Sequence, residues 1–374
     1  MDLVGPAADP LPTDVEPLFG AIADEAAEVD RTGVRRSTID ALARAGLLGI
    51  PLTPPSAQRE LTERLAMADA STWFCWAQHQ TPMRILSGEA AGVREPAGSL
   101  LVENYLQGME TGRLLGAVAF AHVRRPGPPN PSATRVAGGW RFEGSLDWVT
   151  SWDIADVVMI MAQGTHTDSE TLVCAFLPAG HAGPPASGMQ VGPTLELLAM
   201  SGTHTRPITL SAVEVPDDRV VLIGRSRWME ADRSTTANAN PAAFGIARGA
   251  IAELAEAAHR RNDEGLRELA EALTDRCREV RAKAYAAADT DASIDERLRL
   301  RAASLELAVD AAVSVVTARA GAAMQQGQSA ERRVREAMFM QVQAQTSASR
   351  SASVSRIRRR IDDASALDQH LLGW

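Results

Sequence analysis

Between Gly116 and about Ile223 the chain changes character. Short apolar and β-branched runs, Val157 to Met161, Leu172 to Leu177 and Ile208 to Val215, are each bounded by turn-forming residues, the pattern of strands. On both sides the sequence is rich in Ala, Arg and Glu, which favours helix. A block of strands enclosed by two helical tracts restricts the chain to an α+β architecture. The expected domains are a helical one over residues 1–113, a β domain over 114–226 and a helical bundle over 227–374. Pro126, Pro128, Pro129 and Pro131 read as an exposed, polyproline-like loop inside the β domain.

Local signals place the helices. Ser37 reads as the N-cap of a helix running to Ala45, with Gly46 as its stop. A longer helix is expected from Arg59 through Leu86, burying Leu61, Leu65, Ala68, Trp73, Trp76 and Met83. After Trp228 come Phe244 to Arg261, Leu266 to Ala288, a segment capped by Ser293 with Glu296 three residues on, and a stretch from Glu331 towards Ile361. Several amphipathic helices in succession imply a bundle.

The segment from Gly138 to Ser151 reads as a hairpin. Gly138 and Gly139 permit a turn with positive φ, and Arg141 to Ser145 alternates at the strand period. Beyond Gly144, Trp148 sets an aromatic face close to the hydroxyls of Thr150 and Ser151. That combination suits a flat isoalloxazine ring, stacked on the indole with its polar edge towards the hydroxyls. An ordinary hairpin with a buried tryptophan has the same pattern.

The 374 residues allow two or three domains, and a hydrophobic share of 45% provides a sizeable interior. A net charge of −9 argues against nucleic acid as a partner. The run from Arg356 to Arg360 reads as a solvated helix surface, with a phosphate contact as the alternative. Cys75, Cys174 and Cys277 are far apart and include no CxxC pair, which argues against disulfides and zinc and fits a reducing compartment. His166, His181, His204, His259 and His370 show no metal-ligand spacing. With no basic and apolar leader after Met1 and no apolar run near ~18 residues, the expectation is a soluble cytoplasmic protein without a membrane partner.

Further elements stand in a recognisable order: Asp30-Arg31-Thr32-Gly33, Leu42-Ala43-Arg44-Ala45-Gly46-Leu47, Asp69-Ala70-Ser71-Thr72-Trp73, the Gly144 to Ser151 element, Met200-Ser201-Gly202-Thr203, Val215 to Val220, and Arg332 with Arg335-Glu336-Ala337. Together they resemble the acyl-CoA dehydrogenase superfamily of flavoproteins over nearly the whole chain. The resemblance implies an N-terminal α-helical domain, a middle β-barrel-like domain and a C-terminal four-helix bundle. It also implies FAD or FMN as cofactor, a small-molecule or acyl-thioester substrate, and a homodimer or homotetramer.

The sequence departs from that family where dehydrogenases carry their chemistry. The position matching the α-proton-abstracting Glu is Ala344, and the alternative position is Thr235. A methyl group cannot accept a proton. Glu230 and Asp232 lie near the second position, as a displaced base or as solvated charges. Phe120-Ala121-His122-Val123-Arg124-Arg125-Pro126 replaces a Gly-containing flavin loop, Arg260-Arg261 lacks the Phe-Gly that accompanies a diphosphate arginine, and Ala320-Gly321-Ala322-Ala323 replaces a Gly-Gly-x-Gly turn. These changes imply weakened flavin binding, a preference for FMN, or loss of the cofactor.

The resemblance assigns His79 and Ser151 as catalytic candidates, and Trp148, Thr150, Ser151, His122 and Arg261 as cofactor-binding candidates. Three functions follow. The first is a flavin-dependent oxidoreductase of monooxygenase type or a specialised enzyme of secondary metabolism, with a separate flavin reductase as a possible partner. The second is a flavin-free relative with a ligand-binding or non-redox role. The third is an acyl-CoA dehydrogenase with a displaced base.

Overall fold

A computed structural model of the chain describes residue 11 and residues 15–49, 55–90, 93, 98–125, 127 and 130–372, with side chains through residue 363 except that of Ser99. Pro126, Pro128 and Pro129 of the proline-rich loop lie outside the described residues. The chain divides into two compact units, one ending at Asp232 and one beginning at Arg233.

The first unit opens with helices α1 (Glu16–Thr32), α2 (Arg36–Arg44), α3 (Pro55–Ala68) and α4 (Ala70–Ser87). A short segment follows: α5 (Ser99–Leu101), a π-helical turn (Val102–Leu106) and α6 (Gln107–Glu110). The N-cap of α2 is Arg35, and Ser37 lies inside the helix. Arg36 fixes that entry: its guanidinium reaches Asp40 at 3.0 Å, Asp156 at 2.9 Å and the carbonyl of Ile154 at 3.2 Å. The expected helix from Arg59 to Leu86 is two helices. Asp69 leaves helical geometry and caps the second, its carboxylate accepting from the N–H of Thr72 at 2.6 Å.

Eight strands form one sheet: β1 (Gly116–Ala119), β2 (Ser132–Val136), β3 (Gly139–Val149), β4 (Val157–Gly164), β5 (Thr171–Pro178), β6 (Met189–Val191), β7 (Arg206–Pro216) and β8 (Val220–Gly224). The order is β6-β7-β3-β2-β4-β5-β8, and β1 shares with β2 one edge of β4, both running parallel to it. β4 and β5 are covered on both faces, so their sequences are apolar runs with no alternation. One face carries Met159, Met161, Leu172, Cys174 and Phe176 into a core shared with Met83 and Leu86 of α4, Leu106, and Trp228.

In the turn between β2 and β3 only Gly138 adopts positive φ. Gly139 is the first residue of β3, where an added Cβ would lie 2.3 Å from the carbonyl oxygen of Val215. The second glycine therefore serves strand contact, not the turn. Gly144 has φ +123°, and an added Cβ would meet Asn130 Oδ1 at 2.3 Å.

Helix α7 (Arg225–Ala237) spans the division between the units. In the second unit α8 (Pro241–Arg261), α9 (Glu264–Asp289), α10 (Ile294–Arg319), α11 (Ser329–Met340) and α12 (Ser347–Leu372) make the bundle, with α10 against the other four. Asn240, Asp263 and Ser293 cap α8, α9 and α10 through their side chains. The stretch from Glu331 to Ile361 is broken at residues 341–346, where Ala344 has φ 48°. Arg356 and Arg360 are not simply solvated: both pair with Glu306 of α10 and so staple α12 to it. Ile294–Met324 is, by length and composition, apolar enough to cross a membrane, contrary to the sequence expectation, but α10 within it is the central helix of the bundle.

Gly144→Ala is expected to cost at least ~2 kcal/mol, because it adds strain at a left-handed φ to clashes with Asn130 Oδ1 and, at 2.8 Å, with the backbone Cα of Pro131. Urea denaturation monitored by circular dichroism checks this. A midpoint equal to that of the parent chain would show that the strand relaxes freely there.

Candidate functional site

The site is built on an irregularity in β3. Leu146 faces Ile208 of β7 and Val149 faces Arg206, so Asp147 and Trp148 together oppose Pro207. Proline has no N–H to give to the ladder, so an extra residue on the partner strand is tolerated there. Strict alternation would turn Trp148 to the face of buried Trp140, Phe142 and Leu146. The bulge instead leaves its indole 50% exposed, a known use of bulges near functional surfaces. The alternative of a buried hairpin tryptophan is not what the chain adopts.

Beside the indole lies a small, partly open hollow with room for about one water molecule, walled by Phe120, Ala121, His122, Arg125, Leu146 and Asp147. It is far smaller than the ~300–1,000 Å³ of most ligand pockets. Phe120 precedes a 3₁₀ turn, Ala121–Arg124, that follows β1. His122 meets the carbonyl oxygen of Met161 through Nε2, so that nitrogen carries the proton. Burial pushes the pKa of His122 down to about 4, with the nearby Arg125 charge acting in the same direction. The ring is therefore neutral at ordinary pH.

Two adjacent arginines leave this turn with different fates. Arg124 grips Asp232 with two hydrogen bonds, 2.8 and 2.6 Å, and the two side chains are only 16% and 12% exposed. Its guanidinium also lies 4.8 Å over the ring of Phe120, which meets Trp228 edge-on at 5.9 Å. Removing one partner of a buried pair costs about 3–5 kcal/mol. Arg125 pairs with Asp147, but these side chains are 53% and 45% exposed, a setting in which an ion pair contributes about 0–1 kcal/mol. Arg124 is thus a brace, and the Arg125 pair contributes little to holding the turn. Asp232 has both oxygens engaged and is poorly placed to act as a base, while Glu230 is exposed on α7.

The hydroxyls expected beside Trp148 turn inward. Thr203 donates to the carbonyl of Met200 at 2.7 Å, so Thr205 must donate to Thr203 at 2.8 Å, and Thr150 to Thr205 at 3.2 Å. The Thr150 proton is committed to the interior. Ser151 is fully buried at φ 67°, with its N–H on Thr203 O at 2.8 Å. Its Oγ has no hydrogen bond of normal geometry and lies against the Cys75 thiol, whose pKa burial raises to about 12. The expectation of an open polar edge at Thr150 and Ser151 is therefore corrected: the left-handed turn at Ser151 folds the chain back onto Thr203 and His204.

His79 is corrected as well. It is fully buried, its Nδ1 accepts from the N–H of Gly116 at 2.9 Å, and its Nε2 donates to Met109 O at 3.1 Å. With both nitrogens engaged, the ring ties α4 to α6 and β1 and has none left for a substrate. Arg261 lies exposed at the end of α8, in the second unit. Ala344 and Thr235 belong to that unit too; Gln343, next to Ala344, gives its carbonyl oxygen to Arg301 at 2.7 Å and its side-chain oxygen to Asn240 at 3.0 Å. Among the described residues no three His, Cys, Asp or Glu side chains are placed to hold a metal ion.

No protein-family model and no curated protein matches the sequence. Solved structures do match in shape. A glutaryl-CoA dehydrogenase from Mycobacterium smegmatis, in complex with FADH2, is similar over 93% of this chain and 95% of its own, at 14% identity and a TM-score of 0.73. A butyryl-CoA dehydrogenase from Megasphaera elsdenii is similar over 93% of this chain and 99% of its own, at 16% identity and 0.70. A dibenzothiophene monooxygenase from Paenibacillus sp. A11-2 is similar over 92% and 95%, at 17% identity and 0.70. The chain has the acyl-CoA dehydrogenase fold. Sequence reasoning missed the Arg124–Asp232 brace and the Arg125–Asp147 pair within this fold, although the doubled arginine after Phe120 and the proline inside β7 were available as signals.

Burial lowers the pKa of His79 from 6.5 to about 4, so between those values an unfolded chain binds a proton that the fold excludes. Stability is full above pH 6.5 and falls as pH drops towards 4, by roughly 3 kcal/mol at 1.36 kcal/mol per unit. His122 adds a contribution of the same sign. His79→Gln, which keeps a donor and an acceptor without a titrating proton, is expected to flatten this slope by about half. Denaturation midpoints from pH 7.5 to 5 check it; an unchanged slope would mean that His79 protonates within the fold.

Proposed function

We propose that this chain is a flavin-dependent oxidoreductase of an oxygenating or otherwise specialised kind, not an ordinary α,β-dehydrogenase. The observation that carries the reading is the exposed indole of Trp148 beside its hollow, on a fold whose similar structures include one in complex with FADH2. The half-exposed indole of Trp148 is the aromatic face on which a flavin ring would stack, outside the small hollow, and Arg125 would stand as a cation beside it. A bound flavin supplies the redox chemistry. The chain's own part is to stack the ring, keep His122 neutral beside it, and hold the turn still through Arg124 and Asp232.

The lack of a carboxylate at the two positions that the resemblance assigns to the base supports the oxygenating branch. Ala344 has no ionisable group, Thr235 is a hydroxyl, and Asp232 is held by Arg124. The similarity to a dibenzothiophene monooxygenase supports the same branch. The substrate is then a small molecule or an acyl thioester, the cofactor FAD or FMN, and a separate flavin reductase serves as electron donor. A cytoplasmic homodimer or homotetramer belongs to the same proposal.

A second reading, a flavin-free relative that binds a ligand, is favoured by the inward-turned hydroxyls of Thr150 and Ser151. Incubation with FAD or FMN decides between them. The flavin reading expects retained absorbance in the flavin bands, a loss of affinity of at least ~tenfold in Trp148→Ala, and no bleaching by a panel of acyl-CoA thioesters. Protein that stays colourless after both incubations would sink it, and thioester bleaching would restore the dehydrogenase.

A further inference from the structure

We propose that the outward face of α12 docks a second copy of this chain, the two α12 helices running antiparallel. The inference deepens the homo-oligomer of the proposed function by naming its contact, and it rests on no property of a flavin.

Helix α12 is apolar on the side that faces away from the bundle. Ser349 is buried and Ala352, Ser353 and Arg356 are half-buried, so small or charged residues make its inner side. Arg356 and Arg360 reach Glu306 and Asp310 of α10. Val354, Ile357 and Ile361, spaced three and four apart, form one row that lies roughly 120° around the helix from the inner side, at 3.6 residues per turn. These three side chains are 59%, 51% and 60% exposed. A helix at rest on a bundle turns its apolar stripe inward. Most helical stability comes from packing such a stripe, and β-branched residues lower intrinsic helicity. A helix of 26 residues with its β-branched row outward therefore lacks the burial that the row was suited to give, and a partner on that row supplies it.

The charges bordering the row select the occupant. On one border Arg356 and Arg360 are already spent on α10. On the other, Arg358 and Asp362 stand one turn apart, 3.9 Å from each other. A helix that lies on an anionic membrane is rich in cations on its polar face, and a reader of acidic peptides needs the same; a border of mixed sign serves neither. In this order the border is complementary to itself. Turned end for end about a twofold axis near Arg359, the row sets Ile357 against the partner's Ile361 and Arg358 beside the partner's Asp362, and each contact occurs twice. In a parallel pair the Arg358 border would instead face the border of Ser353 and Arg360, which brings no acid to it. The apolar row supplies the affinity, and the charges set the direction.

Sedimentation equilibrium of the full chain is expected to show an even-numbered assembly. Ile357→Glu places a charge in the seam twice over and should halve that assembly, raising its dissociation constant at least ~hundredfold with the circular dichroism spectrum unchanged. Arg358→Asp and Asp362→Arg give borders of a single sign, so each alone should weaken the assembly, and an equimolar mixture of the two should restore it. A parent chain that stays monomeric, or an assembly indifferent to Ile357→Glu, overturns the proposal, and neither result bears on whether the protein retains flavin absorbance. A mixture that restores nothing overturns the antiparallel pairing. A monomer that binds vesicles rich in phosphatidylserine, and loses them in Ile357→Glu, overturns the second copy in favour of a membrane surface.

Discussion

The pairing of β3 with β7 is the constraint on which the functional surface depends. Gly139 faces Pro216 and Phe142 faces Val213; then β7 carries one extra residue, where Ala212 takes φ 54°, and Gly144 faces Leu210. Further on β3 carries its own extra residue opposite Pro207, and Val149 facing Arg206 restores the starting register. A single uncompensated insertion would have moved every later side chain to the other face. Two insertions on opposite strands cancel, so the indole of Trp148 turns outward while Leu146 and Val149 stay buried. The end of β3 is then secured by Ser151 N–H on Thr203 O and Trp152 N–H on His204 O.

Burial, more than residue type, decides what each charge near this surface does. Arg124 and Arg125 are neighbours with the same chemistry, yet one makes a brace and the other a weak surface contact, because their carboxylate partners sit in different surroundings. The same logic separates the histidines. His79 is enclosed, with both nitrogens engaged, whereas His122 uses one nitrogen on Met161 and keeps a side towards the hollow. An exposed charged group is kept at the rim and neutral, buried groups beneath it.

The order of helix, sheet and bundle was legible because it rests on local signals: apolar runs for β4 and β5, alternation for β3, and Ser293 with Glu296 at the start of α10. Breaks set by a single side chain were harder to see. Asp69 ends one helix and caps the next inside a continuous helical pattern, and Ala344 interrupts what otherwise reads as one long helix. Partner-dependent roles were not legible at all. The contacts of His79 come from residues 30 and 37 positions away, those of Arg124 from 108 away, and Glu306 collects Arg356 and Arg360 from about 50 positions on. Residue type alone made His79 a candidate acid or base, and only the distant carbonyl and N–H groups reveal a structural tie. Trp148 was singled out by its neighbours in sequence, but its exposure depends on Pro207, a residue on another strand.

The inward hydroxyl chain changes what kind of recognition this surface can perform. Thr150 spends its proton on Thr205, and that chain ends on the carbonyl of Met200, which also accepts from the N–H of Thr203 at 3.1 Å. The polarity of the chain follows from the donation of Thr203 to that carbonyl. What remains on the open side is an aromatic face, apolar walls and one exposed guanidinium. Hydrogen bonding at this surface is thereby directed into the protein, and the exposed side offers aromatic area and an exposed ion pair.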